Sequence, residues 1–384
     1  MSFDKLEIDK LRQRRGKKWN THGPEVLPAW VADMDFPVAP AIRRRLQEVL
    51  ERDDFGYPFD GQAGRLAELL SQRCKDRFQW SIDPARVEVI ADVMQGLQMC
   101  LQMFSSVKQG ASILTPIYPP FLQATRAMSR RADCCTLVPG VDGFEVDWQR
   151  LDASIVADTR VLLLCNPHNP TGRVFSRDEL MRFAELALKH DFTVVSDEVH
   201  SDLVFSGNAH VPFASLGPEI EARTVTLMSA TKTFNIAGLR CAMMVFGSEA
   251  LQARYRSGPR FARGALSSLG MQATDVAWTE CGDWLAALLR YLEDNRDLIR
   301  DFLAERLPGI RFLPPQATYL AWLDCAGLGL GSGLWQHILD KGKVALSDGR
   351  EFGAGGEDCV RLNFATSAEI LGDVLRRLER SFAP

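Results

Sequence analysis

No stretch of this 384-residue sequence stays apolar for long enough to span a bilayer. Its first residues, Met-Ser-Phe-Asp-Lys, are polar and lack the apolar core of a secretory signal. These two absences argue against a membrane protein and against an exported one. We therefore expect a cytoplasmic protein.

The sequence also lacks a basic tract, and its net charge of −4 comes from charges of both signs spread along the chain. Proteins that bind nucleic acids usually carry clustered positive charge, so we expect no nucleic-acid partner. None of the nine cysteines form a Cys-x-x-Cys pair. Most stand in or beside apolar runs, as Cys100, Cys165 and Cys241 do, which predicts buried, reduced thiols.

The pattern of apolar segments indicates an α/β fold. Strands and helices alternate between residues 87 and 246, with helices expected at 96–107 and 121–130. This alternation is typical of a mostly parallel sheet with helices on both faces. A long helical pattern at 284–307 leads into a smaller region with strands at 319–323 and 360–364 and a closing helix at 368–382. The 46% of hydrophobic residues suffice for one large core or two unequal ones.

Lys232 comes shortly after an apolar run, 225–228, that predicts a buried strand. In α/β sheets ligands bind beyond the carboxyl ends of the strands. A lysine there can form a Schiff base with a carbonyl cofactor such as pyridoxal 5'-phosphate (PLP), and Ser229, Thr231 and Arg240 around it could hold a phosphate. A lysine after a strand is more often a solvated surface residue, so this segment alone decides nothing.

Two preceding strands also end in polar groups. The strand at 161–165 is followed by an Asn-rich loop that contains Asn169, and the strand at 193–196 is followed by Asp197 and His200. PLP needs a carboxylate that keeps its ring nitrogen protonated, a donor to its phenolic oxygen and a lysine. Alone, Asp197 could be a helix cap and His200 a packed core residue. Their order on successive strand ends favours a cofactor site.

These segments resemble the aspartate-aminotransferase superfamily of PLP enzymes (fold type I), and more closely its MalY/PatB-like branch of cystathionine β-lyases and C–S lyases. The resemblance covers nearly the whole chain. The motifs that carry it are WVADMDFP (30–37), FGY (55–57), TPIYPPF (115–121), NPHNPTG (166–172), SDEVH (196–200), KTFNIAGL (232–239), ATYLAW (317–322) and RLNF (361–364). It implies a large PLP-binding domain at 46–283 with a mostly parallel, seven-stranded type of sheet. It also implies a smaller α+β domain at 284–384 and an N-terminal segment, 1–45, that packs on the small domain and the cleft.

The resemblance assigns roles at the reacting end of the cofactor. Lys232 is implied to be the Schiff-base lysine and proton shuttle, Asp197 the partner of the pyridine nitrogen, and Asn169 the donor to the phenolic oxygen. His200 stands where many aminotransferases carry a tyrosine that contacts this oxygen. Tyr118 is implied to stack on the ring, and with Lys232 and Asp197 it makes up the expected catalytic set.

At the phosphate end, the resemblance implies a cradle of side chains and backbone amides, made by Ser229, Thr231, Arg240, Val93 and Met94. The turn after the predicted strand at 87–90, Ala-Asp-Val-Met-Gln-Gly at 91–96, is more acidic and poorer in glycine than such a cradle usually is.

The remaining implied roles concern the substrate and the partner subunit. Arg361 is expected to grip the substrate α-carboxylate with two hydrogen bonds. Asp33 and Asp35 could form a carboxylate pair, but we interpret them as loop residues that shape the substrate entrance, with Asp33 at the substrate. Tyr57 is similar to the tyrosine that reaches the phosphate of the neighbouring subunit and is also expected at the substrate site. The resemblance therefore implies a homodimer with shared active sites.

The implied reaction is β-elimination from cystathionine or a cysteine S-conjugate, which yields a thiol, pyruvate and ammonia. Transamination and decarboxylation-coupled deamination use the same residues and stay open, as does a second role as a regulator through protein contacts. The segment 261–268, around Arg263, differs from the Asn-Pro-Phe-like stretch of many C–S lyases and leaves the substrate open.

Two other patterns are discounted. The glycines at 327–333 lack the Gly-x-Gly-x-x-Gly spacing of a dinucleotide loop. Cys165, His168 and His200 have no fourth ligand at a recognisable spacing, so no metal site is predicted.

Overall fold

The structure is a computed structural model that describes residues 3–141, 143–259 and 263–383. Its strands are β1 (Leu27–Pro28), β2 (Val87–Ile90), β3 (Gly110–Thr115), β4 (Arg131–Thr136), β5 (Val138–Pro139), β6 (Phe144–Glu145), β7 (Thr159–Cys165), β8 (Thr193–Asp197), β9 (Thr224–Met228), β10 (Ala242–Phe246), β11 (Arg311–Phe312), β12 (Leu320–Asp324), β13 (Val344–Ala345), β14 (Ser347–Asp348) and β15 (Cys359–Asn363). Its α-helices are α1 (Ile8–Arg12), α2 (Lys17–Asn20), α3 (Pro40–Glu51), α4 (Asp60–Phe78), α5 (Val93–Phe104), α6 (Pro119–Ala127), α7 (Trp148–Ser154), α8 (Arg177–Lys189), α9 (Pro218–Glu221), α10 (Glu249–Arg256), α11 (Ser268–Glu280), α12 (Gly282–Arg306), α13 (Leu334–His337) and α14 (Ala368–Ser381).

A seven-stranded sheet forms the centre of the molecule, in the order β2-β10-β9-β8-β7-β3-β4. Only β10 runs antiparallel to its neighbours, β2 and β9, and the other strands are parallel. Every residue of β3, β9 and β10 is buried, as expected for strands that helices cover on both sides. The predicted α/β fold with a mostly parallel seven-stranded sheet is confirmed.

Helices cover both faces of this sheet with separate apolar clusters. On one face α5 and α6 contribute Leu97 and Phe121 to a buried cluster with the strands. On the other face α8 contributes Phe183 to a second cluster, together with Phe175. The sheet is thereby sealed on both sides, and only its strand ends remain open to ligands.

A second, four-stranded antiparallel sheet has the order β11-β12-β15-β14. It shares one buried cluster with α12 and α14, and this cluster includes Phe3, Leu27 and Phe36 from the N-terminal segment. In addition, β1 pairs in parallel with β13. The N-terminal segment therefore packs against the C-terminal region, although the exact division at 45/46 and 283/284 stays a prediction.

Two helices begin earlier in the sequence than predicted, because local residues determine where each one starts. The helix expected at 96–107 is α5, which begins three residues earlier because the Asp92 side chain accepts a hydrogen bond from the backbone N–H of Gln95 at 2.8 Å. The helix expected at 121–130 is α6, which begins at Pro119, a residue favoured in the first helical turn. The glycines at 327–333 form two short 3₁₀ turns.

Within the described ranges, no helix combines the length and the apolar character needed to cross a bilayer. All nine cysteines are free thiols, and only Cys134 is exposed, so the predicted burial of the thiols holds for the other eight.

Candidate active site

Three adjacent parallel strands bring the predicted site residues to one edge of the sheet. In the register of β7, β8 and β9, Cys165 lies opposite Asp197, and Asp197 lies opposite Leu227. Asn169 follows the first strand, Asp197 ends the second, and Lys232 follows the third. A cavity of about 350 Å³ opens there, which is within the usual size of a small-molecule site. Its lining residues are Ala32, Ala91, Asp92, Val93, Met94, Tyr118, Cys165, Asn169, Asp197, Val199, His200, Thr231, Lys232, Ala237 and Arg240.

Lys232 reaches into the cavity from the segment after β9. Its Nζ donates a hydrogen bond to the carbonyl oxygen of Ala32 at 3.0 Å. Burial lowers the pKa of Lys232, and the charge of Arg361 adds to this, while the carboxylates of Asp33 and Asp197 oppose it. The amine is therefore neutral, and able to act as a nucleophile or a base, at a lower pH than an exposed lysine.

Asp197 lies at the floor of the cavity and is 5% exposed. Its Oδ1 accepts a hydrogen bond from the backbone N–H of Val199 at 3.1 Å. Burial raises the pKa of Asp197 to about 7, although this hydrogen bond and the charge of Lys232 both lower it. The hydrogen bond and the charge of Lys232 offset only part of the cost of burying this carboxylate. Asp197 is therefore suited to pair with a cation that enters the cavity.

Arg361, from β15, is held at the side of the cavity by three hydrogen bonds. Nη1 donates to Oδ1 of Asn169 at 2.9 Å, and Nη2 donates to the carbonyl oxygen of Trp30 at 3.0 Å and to Oγ of Ser347 at 3.2 Å. Its Nε is buried and has no hydrogen-bond partner among the described residues. Burial lowers the pKa of Arg361 to about 10, and the guanidinium remains a cation at neutral pH.

The loop that carries Asn169 is held between the two sheets. The backbone N–H of Tyr118 donates to the carbonyl oxygen of Asn169 at 3.0 Å, and the N–H groups of Gln316 and Ala317 donate to that of Gly172 at 2.9 Å. Gly172 has φ of +68°, and a Cβ there would come within 2.3 Å of Pro315. Only glycine fits this approach without strain.

The residues expected to hold the phosphate offer hydrogen-bond donors. Val93 and Met94 are in the first turn of α5, where backbone N–H groups lack partners within the helix. Ser229 and Thr231 lie side by side, with their hydroxyl oxygens 2.7 Å apart. Arg240 is mostly exposed and forms an ion pair with Asp92. This pair neutralises part of the positive charge expected at a phosphate site.

His200 is buried against the cavity, with its ring edge-on to Tyr319 at 6.3 Å between centroids. Its Nδ1 has no hydrogen-bond partner in the described part of the chain. Burial lowers the pKa of His200 to about 3, and the charges of Lys232 and Arg361 act in the same direction. The imidazole is therefore neutral at neutral pH, and it has an unused polar atom next to the cavity.

Four predicted site residues do not line the cavity, and two of them, Ser229 and Arg361, contact residues that do. Tyr57 is fully exposed on the loop between α3 and α4 and does not line it. Asp33 lines an adjoining cavity instead. Of the 261–268 segment, Phe261 and Ala262 lie outside the described residues, whereas Arg263 donates a hydrogen bond to the backbone of Arg256.

Sequence reasoning missed the residues that hold the site together through the backbone of the N-terminal segment. Ser347 contacts Arg361 and also donates to the carbonyl oxygen of Trp30 at 3.0 Å. Asn363 donates to the carbonyl oxygens of Val31 and Asp33. Asn363 stood in a recognised motif without an assigned role, whereas Ser347 stood in no motif and gave no signal.

A family model described as aminotransferase class I and II matches residues 31–378. The chain belongs to the class I and II aminotransferase family. This match covers most of the chain and includes every cavity residue given above. It confirms the superfamily to which the sequence motifs pointed.

Among its relatives in this aminotransferase family is cystathionine beta-lyase PatB of Bacillus subtilis, 35% identical over 98% of this chain and 100% of the relative. Another is the cystathionine beta-lyase of Corynebacterium glutamicum, 34% identical over 97% and 98%. A solved structure, the PLP-bound C–S lyase of Staphylococcus hominis, superposes with a TM-score of 0.91 at 27% identity and covers 100% of this chain and 99% of that one. These matches confirm the resemblance to the C–S lyase branch.

Proposed function

We propose that this protein is a PLP-dependent carbon–sulfur β-lyase that cleaves cystathionine or a cysteine S-conjugate. The single observation that carries the proposal is the convergence of Lys232, Asp197, Asn169 and Tyr118 on one cavity in a chain whose relatives are named cystathionine beta-lyases.

The chemistry of the cavity fits PLP. A buried carboxylate with a raised pKa suits a pyridinium nitrogen, and helix N–H groups with two hydroxyls suit a phosphate. The unpartnered Nδ1 of His200 and the amide of Asn169 both face the cavity and would supply the contacts to the phenolic oxygen. When bound, PLP supplies a covalent attachment for an amino acid and withdraws electrons from its α-carbon.

The protein's own groups then determine which bonds break. Arg361 binds the α-carboxylate through its planar fork and so fixes the orientation of the α-carbon. Lys232, which burial keeps neutral at a lower pH than usual, takes the α-proton. Tyr118, which also lines the cavity, would stack on the cofactor ring and hold it in place. With the α-proton removed, the β-carbon–sulfur bond breaks and the thiolate leaves with the bonding electron pair. The addition of water to the remaining fragment gives pyruvate and ammonia.

The proposal includes a homodimer in the cytoplasm. Phe55, Tyr57 and Phe59 are all exposed on one loop, and a second copy of the chain would bury these rings and bring Tyr57 to its phosphate site. The free thiols of all nine cysteines support a reducing compartment.

The test is a product assay on purified protein loaded with PLP, using a panel of cysteine thioethers. We expect thiol, pyruvate and ammonia in equal amounts. A keto acid that retains the sulfur would instead identify a transaminase. Carbon dioxide with a sulfur-containing aldehyde would identify the decarboxylating reaction. Either result would refute the proposed lyase.

A further inference from the structure

The carbonyl oxygen of Ala32 is shared by two side-chain donors. Nζ of Lys232 donates to it at 3.0 Å, and the hydroxyl of Tyr319 donates to it at 2.9 Å. A carbonyl oxygen has two lone pairs, so these donors occupy both. Ala32 and Lys232 line the active-site cavity, whereas Tyr319 does not. The tyrosine therefore reaches this oxygen from outside the cavity lining.

The peptide that carries this carbonyl is held on both sides. Nδ2 of Asn363 donates to the carbonyl oxygen of Val31 at 2.5 Å and to that of Asp33 at 2.7 Å. In addition, the backbone N–H of Asp33 donates to the carbonyl oxygen of Val31 at 2.8 Å. Because the carbonyl groups before and after Ala32 are fixed in this way, we expect the Ala32 carbonyl to keep its direction when it loses one of its own donors.

The position of Tyr319 is fixed by a strained turn of the backbone. Thr318, directly before it, is completely buried and has φ of +74°, which is unfavourable for a β-branched residue. The backbone N–H of Thr318 donates to the carbonyl oxygen of Leu203 at 2.8 Å, and that of Phe364 donates to the carbonyl oxygen of Tyr319 at 2.9 Å. Such strain persists where the surrounding structure enforces it, and it is concentrated at functional sites.

The hydroxyl of Tyr319 stays protonated at neutral pH. Burial raises the pKa of Tyr319, and the negative charge of Asp33 adds to this effect. The hydroxyl is therefore a hydrogen-bond donor to Ala32 and cannot itself take up a proton from a substrate. Tyr319 stood in a recognised sequence motif without an assigned role.

We propose that Tyr319 positions Lys232 for proton transfer, because it occupies one lone pair of the Ala32 carbonyl and confines the free ε-amine to the other, on the side of the cavity. An amine that donates to a fixed acceptor rotates less, so its own lone pair keeps a narrower range of directions. Two donors on one oxygen also repel each other through their positive hydrogens, so the carbonyl binds the ammonium form of Lys232 less strongly. The inference rests on the proposed role of Lys232 as the base, and it does not depend on which bond breaks afterwards.

Tyr319→Phe tests this inference, since it removes the hydroxyl and keeps the ring. The measured step is the exchange of the α-hydrogen of L-alanine for deuterium in D₂O, catalysed by the holoenzyme and followed by NMR. Alanine has no leaving group on its β-carbon, so the exchange reports proton transfer alone. We expect the exchange rate at saturating alanine to fall by about three- to tenfold in Tyr319→Phe. The Kd of alanine, from a spectroscopic titration, should stay within about twofold of wild type.

Tyr255→Phe is the matched control, because Tyr255 and Tyr319 are both 1% exposed and Tyr255 does not line the cavity. Its exchange rate should stay within about twofold of wild type. An equally small change in Tyr319→Phe would overturn the proposal. A loss of exchange that disappears at saturating alanine would also overturn it, since the hydroxyl would then act on substrate binding.

A second measurement requires neither bound cofactor nor turnover. Lys232 in the cofactor-free protein is labelled with a trace of acetic anhydride at several pH values, and mass spectrometry quantifies its acetylation. Only the neutral amine reacts. In Tyr319→Phe the Ala32 carbonyl binds the ammonium form more strongly, so the pH profile should move to higher pH. We expect acetylation on the acid side of the profile to fall by about threefold, while Tyr255→Phe should match wild type.

The outcomes separate this inference from the proposed function. Identical acetylation profiles for Tyr319→Phe and wild type would refute the shared carbonyl as a control on Lys232. Absence of thiol release from any wild-type reaction, with alanine exchange intact, would refute only the lyase activity.

Discussion

Nη1 of Arg361 donates a hydrogen bond to Oδ1 of Asn169 at 2.9 Å, and both side chains are buried. Because the amide oxygen is occupied, the NH₂ group of Asn169 is the part left to donate into the cavity. Arg361, the proposed carboxylate site, therefore also orients the predicted donor to the phenolic oxygen of the cofactor.

Replacing Arg361 with lysine should weaken substrate binding more than turnover. A lysine is a point charge and cannot bind both oxygens of a carboxylate while it holds Asn169. We expect KM to rise by about tenfold or more, with a smaller change in kcat, and a shift in the visible absorption of the holoenzyme. Steady-state kinetics and absorption spectra measure both effects. Arg350→Lys, at an exposed arginine that pairs with Asp348, should change neither, and equal effects in both variants would contradict the role of Arg361.

Replacing Asp197 with asparagine should abolish most of the activity while PLP stays bound. Asparagine keeps the shape of the side chain but removes the charge that stabilises a protonated ring nitrogen. We expect kcat to fall by far more than the tenfold that about 1.4 kcal/mol represents. Cofactor content, measured by absorption after gel filtration, provides the control. A nearly normal kcat with full cofactor content would be incompatible with this role.

The same variant should change how stability depends on pH in the cofactor-free protein. The pKa of Asp197 rises on folding from its ordinary 3.8 to about 7. Its stabilising contribution is therefore complete below about pH 4 and is lost as the pH rises through about 7. Asp197→Asn does not ionise, so its unfolding free energy relative to wild type should increase by about 3 kcal/mol between about pH 5 and pH 8. Urea denaturation at both values measures the difference, and parallel pH profiles would argue against the raised pKa.

Nζ of Lys18 lies 2.9 Å from Oδ2 of Asp35, and both side chains are almost completely buried. We expect these two residues to stabilise the N-terminal segment only as a pair. Lys18→Met leaves the Asp35 carboxylate buried without its cation, and we expect the unfolding free energy to fall by about 3 kcal/mol or more. The double variant Lys18→Met/Asp35→Leu should recover much of this loss, because no charge then remains buried. Denaturant unfolding of both proteins measures it. Lys10→Met, which breaks an exposed pair with Glu7, should have a much smaller effect. A double variant less stable than Lys18→Met would show that the unpaired Asp35 carboxylate is not the cause of the lost stability.

The exposed ring of Tyr57 predicts complementation between subunits. Lys232→Ala and Tyr57→Ala proteins should each be nearly inactive, the first for lack of the lysine and the second for poor PLP retention. If Tyr57 acts in the neighbouring subunit, a hybrid dimer has one site with both residues intact. Mixing the two variants under conditions of subunit exchange should therefore restore thiol release. No recovery in hybrids verified by mass spectrometry, or a fully active monomer by light scattering, would show that Tyr57 has no role across subunits.

Much of the site could be predicted because its residues follow successive parallel strands. Asn169 and Lys232 follow β7 and β9, Asp197 is the last residue of β8, and these three strands are neighbours in the sheet. Helix starts were less accurate, because the Asp92 cap and Pro119 shift α5 and α6 toward the N-terminus by two or three residues.

The sequence by itself determined the α/β fold, the burial of most cysteine thiols and the residues of the site that stand at strand ends. These features depend on local periodicity and on residue type. Only the tertiary structure decided that Arg361 holds Asn169 and that Ser347 and Asn363 bind the backbone of the N-terminal segment. These contacts join residues that lie far apart in sequence, such as Trp30 and Arg361. Backbone carbonyl oxygens are the acceptors in several of them, and every residue type presents the same carbonyl, so the sequence carries no signal for such bonds.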